Sequence, residues 1–206
     1  MAQNWAFVSA GSVATGTTTV TVGAPSSYSA GNTLIIIASQ TGGAGGPSTP
    51  SGWSAAASTT HFGVFYKTAT ASETSVSVTS GGSSASGVML CYSNLGAFDA
   101  ASTESTATSA TTLATNTLTT TGADDLVISA WTTNGTATSW TAPGSTTQRA
   151  SSLTTPALLV VDEDQAASGA STARTATTAP STSLRAVAVA FKNGTALATG
   201  KMLLMF

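Results

Sequence analysis

Threonine and serine take the place of charge as the polar residues of this chain. The sequence holds 40 threonines and 30 serines among 206 residues, while charged residues make up only 7%. Threonine is β-branched and suits a pleated, half-exposed strand surface. The charged and long-chain residues that favour exposed helix are scarce. Hydrophobic residues still reach 41%, enough to build a core at this length. A chain of this kind is expected to fold as β-structure with uncharged polar faces.

The hydrophobic pattern agrees. Short runs rich in β-branched residues are bounded by Gly, Ser, Asn and Pro. The runs expected to be strands are Trp5–Val8, Thr17–Val22, Thr33–Ser39, Phe62–Thr68, Ser75–Thr79, Val88–Ser93, Leu113–Thr119, Leu126–Thr132, Ala157–Asp162 and Arg185–Lys192. Thr17–Val22 and Ser75–Thr79 alternate small polar residues with Val, the pattern of a strand with one wet face. Leu34–Ala38, Val88–Tyr92 and Leu126–Ala130 are continuous apolar runs, as in central strands covered on both faces.

Two stretches of the chain repeat a pattern. Gly31–Ile36, a Gly/Pro-rich loop, Pro50–Trp53, Val64–Lys67 and Val88–Asn94 are echoed by Ala123–Ile128, Ser139–Gly144, Leu158–Asp162 and Val187–Asn193. Leu34 to Leu126, Trp53 to Trp140 and Asn94 to Asn193 recur at offsets of 92, 87 and 99. The bridge Ala100–Thr112 reads as a Ser/Thr/Ala-rich loop. One shared core is the economical way to bury two such halves. The expectation is a single all-β domain over residues 1–195, a jelly-roll-like antiparallel β-sandwich with pseudo-repeats at about 31–95 and 123–193. An apolar tail, 196–206, follows.

Net charge is −2, and the six basic residues do not cluster, so a nucleic-acid partner is not expected. The start, Met1–Trp5, lacks the basic and apolar regions of a signal peptide, and no apolar run reaches the ~18 residues of a membrane helix, so a soluble chain without a leader is expected. The lone Cys91 lies in an apolar run and reads as a small buried hydrophobe.

Few residues offer chemistry. His61 is the only histidine, and no Gly-x-Ser-x-Gly elbow accompanies it, so it reads as a loop or strand-end residue. Asp162-Glu163-Asp164 reads first as a solvated acidic turn. Asp162 and Asp164 could share a face and bind calcium with added loop carbonyls. Asp124-Asp125 reads as a polar turn, and Gly42–Pro47 as a tight loop without the Lys-Ser/Thr of a phosphate loop. Trp53, Trp140 and Tyr66 read as core aromatics, or alternatively as glycan-stacking or interface aromatics. Asn134-Gly135-Thr136 and Asn193-Gly194-Thr195 read as turns. Met202, Leu203, Leu204, Met205 and Phe206 read as a final strand or as a docking peptide for a neighbouring subunit. No cofactor is expected, and no catalytic residue.

The order of features resembles β-sandwich structural proteins of tailed bacteriophages. It rests on Gly31–Ile37 with Pro50–Trp53 and on Asp124–Ser129 with Trp140–Gly144, and covers about Thr17–Asn193. The resemblance implies a virion protein: a capsid decoration (cement) subunit, or a tail or fibre component. Its partners would be a major capsid or tail protein and further copies of itself. The absence of shaft-like repeats favours the decoration subunit. A carbohydrate-binding module for host adhesion is the alternative.

Overall fold

The computed structural model describes residues 3–43 and 45–195, and the regular elements among them are all β-strands. The first half contains β1 (Ala6–Ala10), β2 (Ala14–Gly16), β3 (Thr19–Val22), β4 (Thr33–Thr41), β5 (Ser54–Ser58), β6 (Phe62–Thr68), β7 (Val76–Thr79) and β8 (Ser84–Ser93). The second contains β9 (Leu95–Ala101), β10 (Ser105–Ala114), β11 (Thr119–Thr120), β12 (Asp125–Thr133), β13 (Ser139–Thr141) and β14 (Thr147–Ser152). It ends with β15 (Leu158–Gln165), β16 (Gly169–Ala170) and β17 (Thr175–Asn193).

The strands form an antiparallel sandwich. One sheet has the order β1-β8-β4-β6-β5, with β2 also on β8. The other has the order β10-β17-β12-β15-β14, with β9 and β13 also on β17. Within each sheet strands distant in sequence are neighbours, β4 with β6 and β8, and β12 with β15 and β17, so the chain crosses over in both. Each sheet is drawn from its own half, and the chain passes from the first to the second between β8 and β9. The central core lies between the sheets. It joins Ile35, Ile37, Phe62, Leu90 and Tyr92 of the first to Leu126, Ile128, Val160, Val189 and Phe191 of the second. Each fully buried Ile, Leu or Phe contributes roughly 1.5–3 kcal/mol.

The outer faces are also covered, which is why the central strands read as continuous apolar runs. The β3–β7 ribbon closes the first sheet, placing Val20, Val22 and Val78 over Leu34, Ile36 and Met89. The β11–β16 ribbon lies beside Leu118, which packs with Val127, Ala188 and Ala190 on the second. Trp131, Leu159 and Val161 form a separate outer cluster.

The two sheets repeat one pattern of pairing. Ile35 lies between Leu90 and Tyr66, and Ile128 lies between Val189 and Asp162. The β5–β6 register skips a residue between Ala55 and Ala57, and the β14–β15 register does so between Gln148 and Ala150. The skipped residues, Ala56 and Arg149, therefore occupy matching bulges. Gly31, with φ of 90°, matches Asp124, with φ of 58°. The next residues also match: Asn32 Oδ1 accepts from Ser29 N and Asp125 Oδ2 from Gly122 N, both three residues back. By this register Leu34 corresponds to Val127, since both face outward, and not to Leu126 as its offset of 92 implies. A one-residue slip in a strand exchanges its faces.

Other expectations change. The bridge Ala100–Thr112 is not a loop; most of it lies in β9 and β10, which run along one side of β17. The Gly-rich turn after β4 is anchored by Gln40, which is 1% exposed. Its Nε2 donates to the carbonyls of Gly42, Gly45 and Thr60, and its Oε1 accepts from Ser80 Oγ and Gly81 N.

Candidate functional site

The sandwich has two lateral sides where the edge of one sheet meets the edge of the other, and their side chains differ. On one side β14 faces β1. The bulge residue Arg149 donates from Nε to Asp162 Oδ2 at 2.7 Å, and its guanidinium lies 4.2 Å from the centre of the Phe7 ring. Tyr92 Oη, from the opposite sheet, donates to the same carboxylate oxygen at 2.8 Å. Burial, then the negative charge of Asp162, pushes the Tyr92 phenol well above its ordinary range. The phenol stays protonated and is a permanent donor. This side is closed by an inter-sheet clasp.

On the other side β5 faces the junction of β9 and β10. Here the bulge residue is Ala56, and the space filled by Arg149 on the first side is not filled by a side chain of that length. A cleft of about 610 Å³ results. Ala56, Ala57 and Ala101 contribute methyl groups to it, and Thr59, Thr60 and Thr103 contribute hydroxyls. Glu104 lies in its wall, its side chain 11% exposed. Glu104 Oε2 accepts from Thr59 Oγ1 at 2.5 Å and from His61 N at 3.1 Å. Oε1 lies 2.7 Å from His61 Nδ1 and 3.9 Å from Arg185 Nε. The pairing register explains how these residues meet: Glu104 follows the β9 edge of the second sheet, and His61 precedes β6 in the first. Sequence reasoning singled out His61 but missed Glu104, because its approach depends on the packing of two sheets.

The aromatic candidates are placed differently from an open platform. Trp53 is only 9% exposed, packs on the outer face of the first sheet, and has Lys67 Nζ 5.3 Å from its ring centre. Trp140 is half-buried beside Trp131 and Leu159, and its Nε1 donates to Ser152 O at 3.2 Å. The two are not matching residues: Trp53 precedes β5, whereas Trp140 lies in β13, a short strand on β17. Tyr66 stacks on Phe98 and meets Phe191 edge-on, inside the end of the sandwich. All three rings pack against neighbours; Trp53 is buried, while Trp140 and Tyr66 are half-buried.

The acidic run is a strand, not a solvated turn. Asp162 is buried in the clasp, and Glu163 points to the other face, where Arg174 Nε donates to both carboxylate oxygens at 2.8 and 2.9 Å. Asp164 is exposed on β15, and its carboxyl is pushed up by burial and by Asp124, Asp125 and Glu163. Among the described residues no three His, Cys, Asp or Glu side chains gather as a metal ion would require. Asp162 Oδ2 is taken up by Tyr92 and Arg149 in the clasp. Cys91 is buried, and burial pushes its thiol up to about 11, so it is unreactive at neutral pH. Met202–Phe206 lie outside the described residues.

The charged groups show one further regularity. Each of the five basic residues among the described ones lies within 4.0 Å of a carboxylate of its own chain. The pairs are Lys67–Glu73, Arg149–Asp162, Arg174–Glu163, Arg185–Glu104 and Lys192–Asp99. The remaining described surface is dominated by neutral Ser, Thr and Ala. Of the large hydrophobic residues only Val8 and Leu153 are exposed there. Compared with family models, with curated proteins and with solved structures, the chain matches none.

Proposed function

We propose that this protein is a virion structural subunit, a capsid decoration protein that reinforces a phage head through many contacts with neighbouring coat subunits and with copies of itself. The observation that supports this reading is the internal pairing of the basic residues. With every described Lys and Arg paired, the described surface has little electrostatic steering toward nucleic acid or acidic partners. It suits close packing in a lattice, where each weak contact is repeated and avidity rises by multivalency. The two-sheet sandwich supplies the body for that task.

The contact surface proposed is β10. It is an edge strand of ten residues, STATSATTLA, with neither Lys nor Pro. Long edges without charge or proline are templates for pairing with another chain, and the bulges around Ala110 divide β10 into two such stretches. The segment Lys201–Phe206 is proposed as a second contact. Immunogold electron microscopy of lysates from cells that make the protein tests the reading. Antibody against the purified chain is expected to label the heads of phage-sized particles. Label confined to soluble material, with bare particles, would overturn it.

A further inference from the structure

We propose that the cleft between β5 and the β9–β10 junction binds a neutral saccharide. This inference stands apart from the virion reading and survives or fails independently of it.

The first argument is the difference between the two lateral sides. They are built on one register, down to the bulge, so they begin with the same backbone frame. One is filled by Arg149 lying across Phe7. At the matching bulge the other has Ala56, and its β9–β10 junction carries Glu104, where the junction of β1 and β2 has Val13 at the matching register. The open side thus combines a lost cation and an added carboxylate.

The second argument is the chemistry of the lining. Ser58, Thr60 and Thr103 line the cleft beside Ala57 and Ala101, with Glu104 as the one acidic residue and no Lys or Arg. Such a lining offers phosphate or carboxylate ligands no cation to pair with. It complements a ligand that offers both O–H donors and C–H faces. Glu104 already accepts bonds from Thr59 Oγ1, His61 N and His61 Nδ1. The Glu104 side chain keeps 11% of its surface exposed, which is the part a ligand hydroxyl can reach. His61 and Thr59 bond the carboxylate in the cleft wall, and Arg185 Nε lies 3.9 Å from it. The volume of about 610 Å³ falls within the range of small-molecule sites.

Saturation-transfer NMR and calorimetry on the full chain test the proposal, with maltotriose, cellotriose and triacetylchitotriose as probes and sialyllactose as the anionic comparison. At least one neutral trisaccharide is expected to bind, and sialyllactose to bind more weakly. Ala101→Trp places an indole at an exposed cleft position and is expected to abolish binding with the thermal melt preserved. Glu104→Gln is expected to weaken binding roughly tenfold, as loss of a hydrogen bond to a charged acceptor does. The proposal is overturned if none of the three neutral probes binds, if Ala101→Trp binds as the parent does, or if sialyllactose binds equally well.

Discussion

Asp162 is where a single residue does most to join the two sheets. Its carboxylate accepts from Tyr92 of one sheet and Arg149 of the other, and Asp162 itself is buried. Tyr92→Phe removes one donor and leaves the ion pair, so a loss of about 1–3 kcal/mol is expected. Asp162→Ala removes the anion and leaves Arg149 without its partner, and about 3–5 kcal/mol is expected. Urea unfolding of the two variants checks the order. Asp164 behaves in the opposite sense. Its pKa is raised in the fold by burial and by Asp124, Asp125 and Glu163, so its protonated form is the one the fold favours. The stability linked to that proton is fully present below the unfolded value, about 3.9, and is lost as pH rises through the folded value. Asp164→Asn imitates the protonated group. It is expected to raise the melting temperature at pH 7 and to leave it unchanged at about pH 3. A gain of equal size at both pH values would contradict this account.

At the scale of elements, legibility followed hydrophobic content. Phe62–Thr68 is a strand with the bounds the pattern implies, and Thr33–Ser39 and Leu126–Thr132 fall within β4 and β12. These strands are covered on both faces, so burial wrote a continuous apolar run into the sequence. β9, β10 and β14 were not legible. They lie along sheet edges, their side chains are largely Ser, Thr and Ala, and they carry bulges that break any two-residue period. The candidate site suffered from the same cause, because Glu104 sits between two such edge strands. The β10 edge carries its own test. It is interrupted at Ser109, whose φ is 51°, but nothing on it repels another strand. Thr108→Lys adds a charge at an exposed position. It is expected to lower self-association in sedimentation experiments while the melting temperature stays within a degree or so of the parent.

For the whole molecule, the architecture follows from two halves that each make a sheet with one dry face too many. Face-to-face packing buries the inner pair, and the small β3–β7 and β11–β16 ribbons help cover the outer pair. Each described Lys and Arg is drawn into an internal pair, and the described exterior is mostly neutral hydroxyls and methyls. Assembly through such a surface depends on area and fit, so it is insensitive to ionic strength, unlike contacts built on exposed ion pairs. Light scattering on the purified full chain, at about 0.05 M and about 1 M salt, and again with Lys201–Phe206 removed, measures this directly. The account predicts a mass that is a multiple of the 20.1 kDa chain at both salt concentrations, reduced by the truncation. A monomer at every concentration, or an oligomer that dissociates in high salt, would contradict it.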